Sequence, residues 1–443
     1  MRLRVLTLGV GAAGILAAAA VLPGSAATSA APGGGGLRLE VSRDTADDSG
    51  LYVRGQKAGT TPGGGPAGQF DRAVLASPYI RGGIIRLAWK HLEPSQGSQD
   101  WTLLDNIAGE LKQRGLKYIV VVSAGSDSPP WLLTNPRVQT FHFERKKRGA
   151  VVSPLPWDEA YLEAWGRFLK ALGGHIAADP DFVAIRAGGV QAGTSVEMAL
   201  PKILAQHGYT SERVKRVWAA TLEVYAEAFP GKRFVITIDK LIDTTGESGE
   251  QTARAIIDQA VGRYGRRLVL SNSGVNPKRE GFSAQLISSY TSTDRALAQL
   301  GPWAPITGSS AKMSRGKGDP PEKRFRDVFD TALRMRARYF GIDQHDLLDP
   351  RLEEGLRWLA AKREAEEGQP LKFTVKAIPD QPGLRYAAAS LPAGAAFDAA
   401  THAFVWTPRS GQAGVYRGAR FEVSDGTRST SLEVPIIVRR SAK

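Results

Sequence analysis

Residues 83–125 read GIIRLAWKHLEPSQGSQDWTLLDNIAGELKQRGLKYIVVVSAG, and their alternation decides the fold class. Two β-rich apolar runs, Gly83–Ala88 and Lys117–Ser123, flank a helical pattern at Trp101–Arg114. A strand, a helix and a second strand at this spacing predict one parallel βα unit. The same alternation continues in the C-terminal direction. Further strands are predicted at Phe182–Ala187, Arg233–Ile238, Arg267–Ser271, Pro305–Gly308 and Arg338–Ile342. Helical patterns lie between and after them at Trp157–His175, Ser211–Phe229, Glu250–Tyr264, Ser283–Gln299, Pro321–Met335 and Pro350–Glu367. An eighth strand is expected near Leu37–Val41 or Leu51–Arg54. Eight such units close an α/β (β/α)8 TIM barrel, whose usual size matches this span. No Gly-rich phosphate fingerprint follows the first strand, which weighs against an open doubly wound sheet.

The pattern changes after residue 368. Short alternating runs follow at Lys372–Ala377, Leu384–Ala388, Ala403–Trp406, Ala419–Ser424 and Ser431–Val438, with turn signals between them. They predict a small all-β Ig-like sandwich. At the other end, Arg2 and Arg4 precede an apolar stretch, Val5–Leu22, and then Pro23, Gly24 and small residues. That order is expected of a cleaved secretory signal, so a secreted protein without stable membrane insertion is anticipated. The expected organisation is a signal at 1–30, a Gly/Pro-rich leader with a possible first strand at 31–69, a barrel at 70–368 and a sandwich at 369–443. The chain has no cysteine, which excludes disulfides, thiolate catalysis and zinc fingers. Its 58 Lys and Arg against 44 Asp and Glu leave a net +14, a balance that suits a polyanionic partner such as an acidic glycan, nucleic acid or membrane surface, and equally a secreted protein of an arginine-rich proteome, which is the preferred reading. No aromatic-rich nucleic-acid signature accompanies the basic run at 144–148, and no cofactor or metal pattern is present.

Barrel chemistry sits just past the C-terminal ends of the strands. Those positions hold Arg86 and Trp89, Asp127 and Trp131, Gln191 and Glu197, Asp239, Lys312, and Asp343 with His345 and Asp346. Indole faces beside carboxylates and amides suit sugar rings, which present C–H faces and hydroxyl edges. Glu93, before Pro94, is expected to be structural.

The 83–125 stretch resembles the early strands of clan A glycoside hydrolases, especially the family 42 and family 5 barrels. So do "SPPWL" and "PWDEAYLEAWGRFLKALGGHI" further on. "LPAGAAFDAATHAFVWTPRSGQAGVYRGARFEVSDG" is similar to the Ig-like, cadherin-like modules of secreted bacterial enzymes. The resemblance implies a carbohydrate substrate and an acid/base Glu just past strand 4, which is Glu197, although Val196 stands where Asn is usual. It also implies a nucleophilic Glu at the end of strand 7. Here the chain reads Gly308-Ser309-Ser310, and no carboxylate follows before Asp319. Asp343 and Asp346 are the nearest substitutes, with Asp239 and Asp127 as others, and Asp343 is taken as the second carboxylate. Arg86, Trp89, Asp127, Trp131, Gln191, Asp239 and Lys312 would bind substrate, and Lys312 with Arg315 points to an acidic polysaccharide. The alternative is a non-catalytic carbohydrate-binding protein on a degenerate barrel.

Overall fold

The computed structural model describes residues 37–42, 47–56, 69–145, 149–191, 198, 200–272, 281–300 and 319–441. In chain order the strands are β1 (Arg38–Val41), β2 (Gly50–Arg54), β3 (Ile80–Ala88), β4 (Lys117–Ser123), β5 (Thr140–Arg145) and β6 (Gly149–Pro154). Next come β7 (Phe182–Arg186), β8 (Arg233–Thr237), β9 (Leu268–Asn272), β10 (Leu297–Leu300) and β11 (Tyr339–Ile342). The last seven are β12 (Arg363–Glu366), β13 (Leu371–Ile378), β14 (Arg385–Ala389), β15 (Ala396–Asp398), β16 (Ala403–Trp406), β17 (Gly414–Ser424) and β18 (Ser429–Arg439).

Eight parallel strands close a barrel in the order β2-β3-β4-β7-β8-β9-β10-β11 and back to β2. Helices follow these strands and cover their outer faces. Thr102–Lys112 buries Leu104, Ile107, Ala108 and Leu111, the one-sided stripe that a covering helix needs. Asp158, Thr210 and Ser248 cap the helices that start at Glu159, Ser211 and Gly249. Inside the barrel, Tyr52, Ile84, Ile119, Val121, Val235, Val269, Leu297 and Tyr339 form a packed core. The strands are covered on both faces, which explains their nearly continuous apolar runs.

The C-terminal region is a sandwich of two sheets, β1-β13-β16-β15 and β12-β18-β17-β14. Leu39, Phe373, Val375, Phe404, Phe421, Val434 and Ile436 lie in its core. Both expected architectures are therefore present, with three corrections. The seventh barrel strand is β10, Leu297–Leu300, and not Pro305–Gly308, which lies outside the described residues. The preceding helix stops at Thr291, and Ser292, Thr293 and Asp294 turn the chain, with Asp294 at φ 56°. Leu37–Val41 contributes no barrel strand. Its β1 pairs antiparallel with β13, and β2 supplies the first barrel strand. Finally, the last helix ends at Ala361, and β12 joins the sandwich beside β18. The barrel thus begins at Gly50, and the sandwich takes strands from both ends of the described chain.

A buried ionic cluster joins the two parts at the N-terminal end of the barrel strands. Arg338, just before β11, reaches Asp48 at 2.5 Å, Asp47 at 3.3 Å and Glu364 of β12 at 2.5 Å. Glu364 also accepts from Lys362 at 2.8 Å and Arg439 at 3.1 Å. Arg233 of β8 bonds Asp48, and Asp294 takes Arg336 at 3.0 Å and Arg439 at 3.4 Å. Burial pushes the Glu364 carboxyl upward, but Arg439, Lys362 and Arg338 outweigh it and hold it far below the ordinary range.

Candidate active site

The C-terminal ends of the strands form the opposite face. Register shows which side chains enter the barrel. Arg86 of β3 pairs with Val121, Val121 with Arg186 of β7, and Arg186 with Val235. Paired residues share a face, and Val121 and Val235 belong to the interior core, so both arginines point inward. Arg54 pairs with the interior Ile84 and also points inward. On the other side, Thr237, Ser271 and Gln299 form a row ending at the interior Tyr339. One half of the mouth is thus lined by arginines and the other by neutral polar groups. None of the eight barrel strands contains an Asp or Glu.

Carboxylates reach the mouth from loops. Asp127 ends a single helical turn after β4. It is buried, accepts from Ser123 Oγ at 2.7 Å and lies 3.8 Å from Lys90 Nζ. Asp343 follows β11 and caps the short helix Gln344–Leu347. It accepts from Arg54 at 2.8 Å and lies 2.9 Å from His345 Nδ1. Burial pushes its carboxyl upward, but the bonds from His345 and Arg54 prevail and hold it below the ordinary carboxylate range. Asp343 is therefore ionised at neutral pH and suited to charge stabilisation rather than proton donation. Gln344, which the sequence did not single out, donates to the carbonyls of Arg54 and Gln69 and accepts from Asp71 N–H. It fixes the segment that carries Arg54.

The other expected positions divide. Trp131 is half-buried, with its Nε1 donating to the Glu93 carbonyl at 3.0 Å. Trp89 corrects the expectation of a sugar platform. It is 0% exposed, donates to Glu93 Oε2 at 2.8 Å and packs among Trp131, Tyr161, Trp165 and Phe168. A fully covered indole offers no face to a sugar. Glu93 also accepts from Gly97 N–H, a structural use of its carboxylate. Gln191 is buried and its amide turns back to the Ala187 carbonyl at 3.4 Å. Asp239 is partly exposed beyond β8 and accepts from Lys240 N–H at 2.7 Å. Glu197 and Lys312 lie outside the described residues.

The loop after β7 is anchored at its root. Trp165 Nε1 donates to the Gly188 carbonyl at 3.1 Å, Tyr161 to the Gly189 carbonyl at 2.6 Å, and Gly188 N–H to Tyr225 at 2.8 Å. Gly189 has φ +101°, and a Cβ there would meet Trp165 Nε1 at 2.2 Å, so only glycine fits. Further along, Met198 is buried and donates to the Thr237 carbonyl at 3.1 Å. Arg54 and Arg186 were missed by reading only past the strands. Their signal was a cation closing an apolar run, GLYVR and FVAIR.

Comparison with known proteins yields two family matches. The family described as "Beta-galactosidase", glycoside hydrolase family 42, matches residues 83–186, and "Putative Ig domain" matches residues 359–438. No curated protein matches the chain. Similar solved structures include the β-amylase catalytic domain from Paenibacillus polymyxa, at 11% identity and TM-score 0.43, covering 69% of this chain and 94% of that one. Endo-glycoceramidase II from Rhodococcus sp. gives 14% and 0.41, covering 82% and 96%. The endo-β-1,4-mannanase from Thermotoga petrophila gives 9% and 0.43, covering 89% and 99%. The barrel is glycoside hydrolase-like and the C-terminal sandwich is Ig-like.

Proposed function

We propose that this chain is an exported protein whose barrel acts on a polysaccharide or oligosaccharide, with Glu197 as general acid/base. The observation that carries the reading is the family 42 match, because residues 83–186 build β3, β4 and β7 and bring Arg86, Asp127 and Trp131 to one mouth. Glu197 precedes Met198, which is buried and donates its N–H to the Thr237 carbonyl at the end of β8. In that role Glu197 would protonate the leaving glycosidic oxygen, and Asp343, held ionised, would stabilise the developing oxocarbenium charge. Export rests on the signal-like order of residues 1–30.

A second reading, sugar binding without hydrolysis, is favoured by one feature. The strand that ends at Leu300 is followed by GPWAPITGSSAKMSRGKG, which contains no carboxylate before Asp319. The usual place of a second carboxylate is therefore empty of acid. Sugar release from a panel of neutral and acidic polysaccharides, with bound protein counted in the same tubes, separates the readings. Release that vanishes in Glu197→Gln establishes hydrolysis. Binding without release, equal in both proteins, leaves a sugar-binding barrel.

A further inference from the structure

Resting on the carbohydrate reading, we infer that the mouth recognises a sugar bearing an oxyanion, a uronate carboxylate in the first place, through Arg54, Arg86 and Arg186. Three observations converge on this. Arg86 and Arg186 stand two strands apart on one inward row, with only the small apolar Val121 between them. At the usual strand spacing their Cα atoms are about 10 Å apart, close enough for two guanidinium forks to meet on one carboxylate. Arg54 enters from the adjoining strand and is oriented by Asp343 at 2.8 Å.

The strands themselves contribute no carboxylate to this end of the barrel. The opposite wall supplies an independent observation. Thr237 Oγ1 and Gln299 Oε1, on residues 2% and 3% exposed, have no hydrogen-bond partner among the described residues. A buried polar oxygen without a partner is unfavourable, and sugar hydroxyls are the donors that would satisfy these two. One wall therefore reads charge and the other reads hydroxyls, which is the composition of an acidic sugar. Arginine suits this better than lysine, because its planar fork matches a carboxylate in two places.

The test uses the full chain and four immobilised polymers: polygalacturonate, the same polymer with its carboxyls reduced to alcohols, dextran and dextran sulfate. Binding to polygalacturonate at least tenfold tighter than to its reduced form is expected. Arg186→Gln and Arg86→Gln should each lower that ratio about tenfold. Arg186→Lys should retain part of it. Thermal melts identify any variant that fails to fold, and Arg186→Lys then carries the test. An Arg186-dependent preference for dextran sulfate over dextran, without one for polygalacturonate, would support the oxyanion site and assign it to sulfate. Equal binding to acidic and neutral polymers would overturn the inference alone. A preference that survives both Gln variants would overturn it too, because the overall +14 charge would then explain it. Binding to none of the four would overturn the carbohydrate reading along with it.

Discussion

The two ends of the barrel use arginine in opposite ways. At the N-terminal end, Arg233 and Arg338 meet Asp47, Asp48 and Glu364 within hydrogen-bond reach, and the sandwich closes over the cluster. At the C-terminal end, Arg54, Arg86 and Arg186 enter a mouth whose strands carry no acid, opposite the neutral Thr237, Ser271 and Gln299. The difference teaches that the same side chain serves cohesion where carboxylates are built in, and it is what makes ligand recognition the proposal for the mouth. A charge matched inside the fold stabilises it only as a complete set.

The comparison can be broken by substitutions at either end. The largest expected effect is at the mouth, on activity. If the barrel hydrolyses, Glu197→Gln should lower sugar release by about 100- to 10,000-fold, the usual weight of a general acid, with the melting temperature unchanged. At the base, Glu364→Ala leaves Arg338, Arg439 and Lys362 around an empty site and should destabilise the protein by about 3–5 kcal/mol in denaturant unfolding. Gly189→Ala should follow, at about 1–3 kcal/mol, because it strains the backbone and drives a methyl into Trp165. Smallest is Arg186→Gln, which should stay within about 1 kcal/mol of the parent or raise stability, as residues held for function commonly do. A loss as large as that of Glu364→Ala would remove the contrast between the two ends.

Acid sharpens the same contrast. Burial pushes Asp48 upward, but Arg338 and Arg233 outweigh it, so its folded value lies below the ordinary one, as does that of Glu364. A carboxylate depressed in the folded state contributes stability above its unfolded value and loses it as the pH falls through the folded one. The base should therefore hold at neutral pH and weaken below about pH 4.5. Thermal melts from pH 7 to pH 3 should show a steep decline in that window, and Glu364→Gln should flatten it.

Much of this was legible in the residues. Strands buried on both faces write themselves as apolar runs, so six of the eight barrel strands stood out, and β2 was one of two alternatives for the first. The exception, β10, is only LAQL, four residues without a β-branched side chain, and merged into the preceding helical pattern. The place of β1 in the sandwich escaped because its partners, Val375–Ile378, are more than three hundred residues away and no local period records such a pairing. Trp89 was misassigned for a related reason. Position after a strand brings a residue near the mouth, but only packing decides whether its ring faces the opening or the helix layer.

By itself, then, the order of residues determined the alternation of strand and helix, the switch to an all-β tail and the loops that bear Asp127 and Asp343, since all of these follow from local period and turn chemistry. Tertiary structure alone decided that Arg38–Val41 completes the sandwich, that Arg338 and Glu364 meet at the base, and that Arg54, Arg86 and Arg186 share one mouth. Those are contacts between residues far apart in the chain, and closure of the barrel is what brings them together.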